Sequence, residues 1–350
     1  MKTFEKLQSH LRTFAELRTP GPIDYPWLHT HSGGLHDTQV IFQALTHGDE
    51  VGALPALIDV MSRLKSGALT FGGQAHFVLG NPEAALQGQR FLEQDLNRVF
   101  VDPERAPGGP DAFEVKRAQT LMPLYDTCAL FIDFHQTSSP SKRPFYTGPW
   151  RSDWDQWIRA IGGSTAWLAR PAGQVYEPNT RCIDEYVRDR GLPGITLELG
   201  LLGFDSGAKR RAAVEIERAM ALVDGIASGE TSLARAAEHE PKPHYFRQTH
   251  VEVFSDPMLT LQPGFENFSD VSAGQLVSRQ GTPEITITQA ATMMHPIYPP
   301  RHADGRAVEP LYGAIFRLVQ PIEEAPEVAF AVVNNPTTAS PDSPSSLDIG

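Results

Sequence analysis

The chain has 350 residues, 41% of them apolar and 21% charged, which is an ordinary composition for a globular protein with a substantial core. Its formal net charge is -12 and no basic patch with interleaved aromatic residues offsets it, so the charge balance argues against binding to nucleic acid. The two cysteines provide no disulfide framework, and no apolar run of about 18 residues predicts a membrane helix. We therefore expect a cytoplasmic protein without a nucleic-acid or membrane partner, and its oligomeric state is left open.

In chain order, the sequence first predicts an amphipathic helix over residues 1–18, which lacks the apolar core of a signal peptide. Strand and helix patterns then alternate as far as residue 229. The predicted strands are residues 38–46, 74–79, 128–134 and 195–199, and the predicted helices are residues 50–64, 111–126, 180–190 and 208–226. This alternation indicates an α/β fold with a mostly parallel sheet.

The pattern changes after about Pro241. Short strands separated by Gly, Pro and Asn follow over residues 244–319, without a long amphipathic helix between them. The last residues, 334–350, are polar and rich in Pro and Ser, which is typical of disorder. We therefore predict a catalytic domain over residues 1–240, a smaller C-terminal β domain over residues 241–330 and a disordered tail over residues 331–350.

Two histidines and a glutamate stand near the ends of two predicted strands. His47 and Glu50 follow the first strand and open the next predicted helix, where a spacing of three places both side chains on one face. His135 ends a later apolar strand, and ligands of open α/β sheets bind beyond the carboxyl ends of the strands. Two histidines and a carboxylate are a common zinc site of hydrolytic enzymes, which leaves a fourth position for water. The pattern predicts such a site, with Asp133 as a partner that orients His135.

Two further segments carry polar residues suited to catalysis. Arg90, Asn97 and Arg98 follow an Asn-Pro turn, and arginine binds carboxylates bidentately or, beside a metal, stabilises an oxyanion. Taken alone, this segment is as typical of a surface loop with salt bridges. Glu198 interrupts an apolar strand, where burial would raise its pKa toward neutrality, as a general base requires. The alternative is a strand glutamate that pairs with an arginine.

The four motifs, in this order, resemble the succinylglutamate desuccinylase/aspartoacylase family, which is related to the zinc carboxypeptidases. The resemblance runs from about residue 38 to residue 207. It implies a carboxypeptidase-like three-layer αβα domain with a mixed, mostly parallel sheet. It also implies one zinc ion per chain, held by His47, Glu50 and His135.

The same resemblance implies roles for the remaining site residues. Glu198 would be the general base, and Arg90 would polarise the scissile carbonyl. Asn97 and Arg98 would hold the substrate's α-carboxylate. Arg188, or the nearby Arg190, would contact a side-chain carboxylate of the substrate.

The sequence departs from the family pattern at Asp49 and in the segment after His135, and the second departure bears on the substrate. Asp49 stands where the family has Asn, at a position that is not a ligand. Residues 137–149 match neither branch of the family, and we expect them to line the pocket for the acyl group or the side chain. We predict a zinc-dependent amidohydrolase that acts on a small N-acyl amino acid such as N-succinylglutamate. The alternatives are a zinc carboxypeptidase and a non-catalytic protein that binds zinc or a small molecule.

A second candidate metal site is formed by His29, His31 and His36. His29 and His31 would share one face of a strand, but they precede the Gly33-Gly34 turn. We interpret this segment as an exposed hairpin.

Overall fold

The computed structural model describes residues 2–162, 166–170, 179–238, 240–308 and 313–322. Within these residues the helices are α1 Lys2–Leu17, α2 Leu54–Ser66, α3 Pro82–Leu86, α4 Phe113–Tyr125, α5 Ser152–Ile161, α6 Ile183–Arg188, α7 Ser206–Ala227 and α8 Leu233–Glu238. The strands are β1 Leu28–Ser32, β2 Gln39–Ala44, β3 Gln74–Leu79, β4 Leu130–Thr137, β5 Phe145–Pro149, β6 Ala166–Arg170, β7 Gly194–Leu201, β8 His244–Val253, β9 Ser269–Val271, β10 Ala291–Met294 and β11 Ala314–Pro321. A short 3-10 helix spans Leu96–Arg98.

These strands form one sheet in the order β1-β3-β2-β4-β7-β5-β6-β8-β11-β10-β9. Strands β3, β2, β4 and β7 run parallel to one another. Strand β1 pairs antiparallel with β3 at one side of this group, and β5 pairs antiparallel with β7 at the other. Strands β2 and β4 are almost entirely buried, as strands covered on both faces must be. The predicted mixed, mostly parallel sheet is therefore confirmed for the first part of the chain.

The sheet lies between two layers of helices. Neighbouring residues of the central strands alternate between its faces, so Phe42 and Ile132 belong to one apolar cluster and Ile41 and Phe131 to the other. Helices α1, α2, α5 and α7 complete the first cluster, and α4 and α6 complete the second. Each large apolar side chain buried in this way contributes roughly 1.5–3 kcal/mol to folding. The predicted three-layer αβα arrangement is confirmed.

Two local predictions are wrong. The helix predicted from residue 50 begins only at Leu54, because residues 47–50 form a turn in which the Glu50 N–H donates to the His47 carbonyl at 3.1 Å. The predicted hairpin at His29 and His31 does not form, because β1 pairs antiparallel with β3, which separates it from β2. His29 Nδ1 instead accepts a hydrogen bond from the Thr19 N–H at 2.9 Å.

The C-terminal strands have a small apolar core of their own. It contains Leu259, Val277, Met293 and Phe316. Strand β8 nevertheless pairs in parallel with β6, so the sheet passes without interruption from the first part of the chain into the second. The division into domains at residue 240 stays a prediction, and residues 331–350 lie outside the described residues. Within the described ranges, no helix is long and apolar enough to cross a bilayer.

Candidate metal and catalytic site

The three predicted metal ligands meet in a buried cluster. His47 Nδ1 lies 2.7 Å from Glu50 Oε1, and His135 Nδ1 lies 2.9 Å from Glu50 Oε2. The two Nδ1 atoms are 3.2 Å apart, and each side chain is 3% exposed. In the part of the chain that the structure describes, this is the one group of three such side chains whose ligand atoms converge, all within 4.8 Å. Two imidazoles and one carboxylate suit Zn²⁺, so the donor set fits the predicted metal.

The main chain brings these residues together. Strands β2 and β4 are parallel neighbours, with Gln43 opposite Asp133, so the turn after β2 lies beside the end of β4. That turn packs so tightly that a Cβ at Gly48 would overlap the main chain of Ala85 and Gln89. A glycine is therefore required in this turn, between His47 and Glu50. His135 lies inside β4, rather than at its end as predicted.

Asp133 orients His135 as predicted. Its Oδ2 lies 2.9 Å from His135 Nε2, and both of its oxygens accept from the Thr46 hydroxyl, at 2.7 and 2.9 Å. Because an ionised carboxylate only accepts, His135 Nε2 must carry a proton. The Nδ1 of His135 therefore faces Glu50 as the ring atom that could bind a metal.

The potential at the cluster favours positive charge. Burial disfavours ionised Glu50, but His47 and His135 outweigh this effect and hold the pKa of that carboxyl well below its usual value. Burial also opposes the imidazolium of His135, yet Asp133 and Glu50 outweigh it and raise the pKa of the ring well above 6.5. Such surroundings stabilise positive charge, whether as protons on the imidazoles or as a divalent cation.

Glu198 stands next to the cluster on β7. It lies opposite His135 in the parallel pairing of β4 and β7, so both side chains share one face of the sheet. Its Oε2 is buried and makes no hydrogen bond within the described residues. Burial, reinforced by Glu50, raises the pKa of Glu198 to about 7 against the opposing effect of His135. A carboxyl with these properties can both take up and release a proton near neutral pH.

Arg90 reaches the ligands from the loop after α3. Its guanidinium donates to Glu50 Oε1 at 3.0 Å and lies 2.8 Å from His47 Nε2. Asp95 completes this contact, because its Oδ1 is 3.0 Å from His47 Nε2 and its Oδ2 accepts from Arg90 at 3.3 Å. No role was predicted for Asp95, although it stands in the segment with Asn97 and Arg98. The structure shows it as the partner that orients His47.

Asn97 and Arg98 contact the residues at the start of α6. The side-chain oxygen of Asn97 accepts from the Ile183 N–H at 2.9 Å, and Arg98 Nη1 lies 3.5 Å from Cys182 Sγ. The main chain of Arg181 also bonds to this segment, since its N–H donates to the Arg98 carbonyl at 3.0 Å. The two predicted substrate-binding residues are thus held together, two and three residues beyond Asp95.

Arg188 lies elsewhere, in the last turn of α6. Its Nε donates to Asp189 at 3.3 Å, and its guanidinium is 6.0 Å from the ring of Trp154. Within the described residues none of its contacts reaches the cluster of His47, Glu50 and His135. Arg190 donates to Asp126 and stacks over Tyr186, so its guanidinium is held at the end of α4.

The segment after His135 is held from several directions. Gln136 donates from its N–H to Glu50 Oε2 at 3.1 Å, and its side-chain oxygen accepts from the Gly52 N–H at 2.7 Å. Asn267, from the C-terminal part, donates to Thr137 Oγ1 and to the Pro140 carbonyl, both at 3.1 Å. Neither Gln136 nor Asn267 was predicted from the sequence to belong to the site, because their contacts are with residues distant along the chain.

The predicted pocket segment, residues 137–149, is a loop only in its first part. Its last residues form β5, and Phe145 lies opposite Glu198 in the antiparallel pairing of β5 with β7. The ring of His295 contacts Phe145 edge-on, with 5.7 Å between the centroids. This segment therefore places an aromatic residue next to Glu198.

The chain is similar to proteins of known class. A family model described as the succinylglutamate desuccinylase/aspartoacylase catalytic domain matches residues 36–223. A succinylglutamate desuccinylase of Pseudomonas paraeruginosa is 31% identical over 116 residues, which make up 32% of this chain and 35% of that protein. A probable aspartoacylase of Prochlorococcus marinus is 39% identical over 107 residues, 29% of this chain and 34% of that protein. The matches span about a third of the length of these two relatives.

The fold has solved counterparts. The crystal structure of a succinylglutamate desuccinylase from Chromobacterium violaceum superposes with a TM-score of 0.62 and 18% identity, and the match covers 92% of this chain and 99% of that one. At this identity the similarity shows the fold.

Proposed function

The chain belongs to the succinylglutamate desuccinylase/aspartoacylase family, and on that premise we propose that it is a zinc-dependent amidohydrolase that cleaves an N-acyl amino acid such as N-succinylglutamate. One observation carries the proposal. Glu198, with a buried oxygen that lacks a partner among the described residues, stands beside three side chains whose ligand atoms converge. A proton acceptor next to a metal-binding group is the arrangement that metal-assisted hydrolysis of an amide uses.

In the proposed site His47, Glu50 and His135 hold one Zn²⁺ ion. The bound ion supplies a Lewis acid, which polarises a carbonyl and lowers the pKa of a water molecule. Asp133 and Asp95 fix the orientation of the two imidazoles from behind. Arg90 already contacts Glu50 and His47, so its guanidinium is placed to donate to the oxygen of a substrate carbonyl at the same point.

Glu198 moves the proton. Its carboxylate accepts a proton from the attacking water and returns it to the leaving amine, which needs a pKa close to the working pH. The raised pKa of about 7 meets this requirement in the buried site. Asn97 and Arg98 hold the α-carboxylate of the substrate, and Arg188 contacts its side-chain carboxylate. The two arginines explain how an acidic chain could bind a dianionic substrate.

The proposal is tested with the variant Glu198→Gln, which keeps the size of the side chain but cannot accept the proton. We expect turnover of an N-acyl amino acid to fall by roughly 100- to 10,000-fold, while zinc stays at one ion per chain. The matched control is Glu215→Gln. Glu215 is also a buried glutamate with a pKa raised to about 7, but it lies in α7 and bonds to Tyr146. This control should keep its activity.

The substrates to compare are N-succinylglutamate, N-acetylaspartate and a series of short peptides. Turnover that a chelator abolishes, on one N-acyl amino acid, supports the proposal. Turnover restricted to peptides would instead indicate a carboxypeptidase. Zinc binding without turnover on any substrate would indicate a binding protein, and full activity of Glu198→Gln would refute the role of that residue.

A further inference from the structure

A chain of buried polar side chains leads away from His135 into the protein. Beyond Asp133 and Thr46 it continues to Gln43 of β2 and ends at Tyr125 in the last turn of α4. Gln43 Nε2 lies 2.6 Å from Thr46 Oγ1, and the Tyr125 hydroxyl bonds to Gln43 Oε1. All of these side chains are at most 1% exposed, except for His135 at the other end. The chain thus joins three elements behind the metal cluster.

The hydrogen bonds can run in only one direction. Asp133 accepts only, so the single proton of the Thr46 hydroxyl goes to that carboxylate. Thr46 Oγ1 must then accept from Gln43, which places the NH₂ group of the amide toward Thr46 and its oxygen toward Tyr125. The Tyr125 hydroxyl has to donate to that oxygen. A flipped amide would set its oxygen against Thr46 Oγ1, whose proton is already donated to Asp133, so two acceptors would face each other.

The surroundings keep the outer end of the chain in its donating form. Burial, reinforced by Asp133, raises the pKa of Tyr125 well above 10, so its hydroxyl keeps its proton. The ring is fixed between Phe100 and Phe131, with centroids 5.8 and 5.1 Å away. A buried glutamine costs free energy unless both ends of its amide are hydrogen-bonded, and an apolar side chain at position 43 would leave the Tyr125 hydroxyl without its acceptor.

We propose that Gln43 and Tyr125 are positioning residues that act on His135 through Thr46 and Asp133. Their hydrogen bonds hold the Asp133 carboxylate in one place and orientation, which keeps the proton on His135 Nε2 and leaves Nδ1 directed at His47 and Glu50. The inference rests on the proposed metal-binding role of His135. It extends the site to helix α4, which packs against the face of the sheet that carries Asp133 and His135.

The test measures the affinity of the full-length protein for Zn²⁺ by competition with a chelator, together with the absorption spectrum of the Co²⁺-loaded protein. Thr46→Val removes the hydroxyl at nearly constant shape, and we expect zinc affinity to fall by about 10- to 100-fold. Tyr125→Phe removes the outermost donor and should weaken zinc binding by a smaller factor. Thr46→Ser should restore the affinity and the Co²⁺ spectrum, because serine keeps the hydroxyl.

Tyr146→Phe is the matched control. It also removes a buried tyrosine hydroxyl, one that donates to Glu215 at 2.7 Å, and it should leave zinc affinity unchanged. The inference is overturned if Thr46→Val and Tyr125→Phe bind zinc as tightly as the wild type, whatever their thermal stability. Should Thr46→Val fail to fold, Tyr125→Phe and Thr46→Ser decide the question. A wild-type protein that binds no zinc would overturn the proposed function and this inference together, whereas tight binding in all variants would overturn the inference alone.

Discussion

The buried carboxyl of Glu215 makes the stability of this protein depend on pH. Glu215 lies on α7 at 1% exposure, and its side chain accepts a hydrogen bond from the Tyr146 hydroxyl at 2.7 Å. Burial raises its pKa from 4.5 to about 7, although Tyr146 and Arg218 both favour the ionised form. The folded protein therefore holds a proton at this position over a pH range in which the unfolded chain has lost it.

This difference in bound protons decides whether the free energy of unfolding rises or falls with pH. Because the pKa is higher in the folded state, the free energy of unfolding decreases as the pH rises from about 4.5 to about 7, and then levels off. A difference of about 2.5 pKa units corresponds to about 3 kcal/mol at 1.36 kcal/mol per unit. The variant Glu215→Gln carries no ionisable group, while its amide oxygen can still accept from Tyr146. The free energy of unfolding of this variant should therefore not show the decrease that Glu215 causes in the wild type.

The assay is urea unfolding of the wild type and Glu215→Gln at pH 5, 6, 7, 8 and 9. Taking the difference in free energy of unfolding between the two proteins at each pH removes the contributions of the other titrating groups, which both proteins share. Between pH 5 and pH 8 we expect the free energy of unfolding of the variant to rise by roughly 2–3 kcal/mol relative to that of the wild type, because part of the loss has already occurred at pH 5. In the variant Tyr146→Phe the pH range should move upward, because the lost donor favoured the carboxylate. A difference that stays constant with pH, or a variant that loses stability relative to the wild type at pH 8, would refute the reasoning.

Four further outcomes can be checked with the same preparations. Gly48→Ala should distort the turn that carries two of the ligands, because its Cβ would overlap the main chain of Ala85, and zinc affinity measured against a chelator should fall by at least tenfold. Asn267→Ala removes hydrogen bonds to Thr137 and Pro140; we expect a loss on the order of 1–3 kcal/mol in urea unfolding and a raised KM, and an unchanged KM would show that the C-terminal part does not shape the pocket. Arg98→Met and Arg188→Met should each raise KM for a dicarboxylic substrate by roughly 10- to 100-fold, and an unchanged KM in either variant would remove that side chain from the proposed site. Removal of zinc with a chelator should abolish turnover and lower the melting temperature, and re-addition of zinc should restore both.

Much of the fold was predictable because its signals are local. The central strands are apolar runs bounded by turn residues, and all four strands predicted for the first part of the chain are present, with ends shifted by up to three residues. The candidate metal cluster was predictable as well, since strand ends in a parallel sheet meet at one edge. His47, Glu50 and His135 therefore converge as their positions in the sequence indicated.

The remaining features depend on tertiary contacts. Residues 47–50 are not helical because the close approach of Gly48 to the main chain of Ala85 fixes a turn there. Strand β5 was not predicted, because its five residues end in Gly and Pro, which are typical of turns rather than strands. The hydrogen bond between Gln43 and Tyr125 joins residues 82 positions apart, which no spacing rule can show.

The pairing of β6 with β8 has a consequence for any attempt to work with a shortened protein. A chain that stopped at residue 240 would leave β6 as an edge strand, with one side of its main chain unpaired. Its residues Trp167 and Leu168 are apolar and buried in the intact sheet. Exposed apolar edges of this kind recruit strands from other molecules and lead to aggregation. In the intact sheet β8 covers this edge, so the main chain of β6 is not open to pairing with a second molecule on that side.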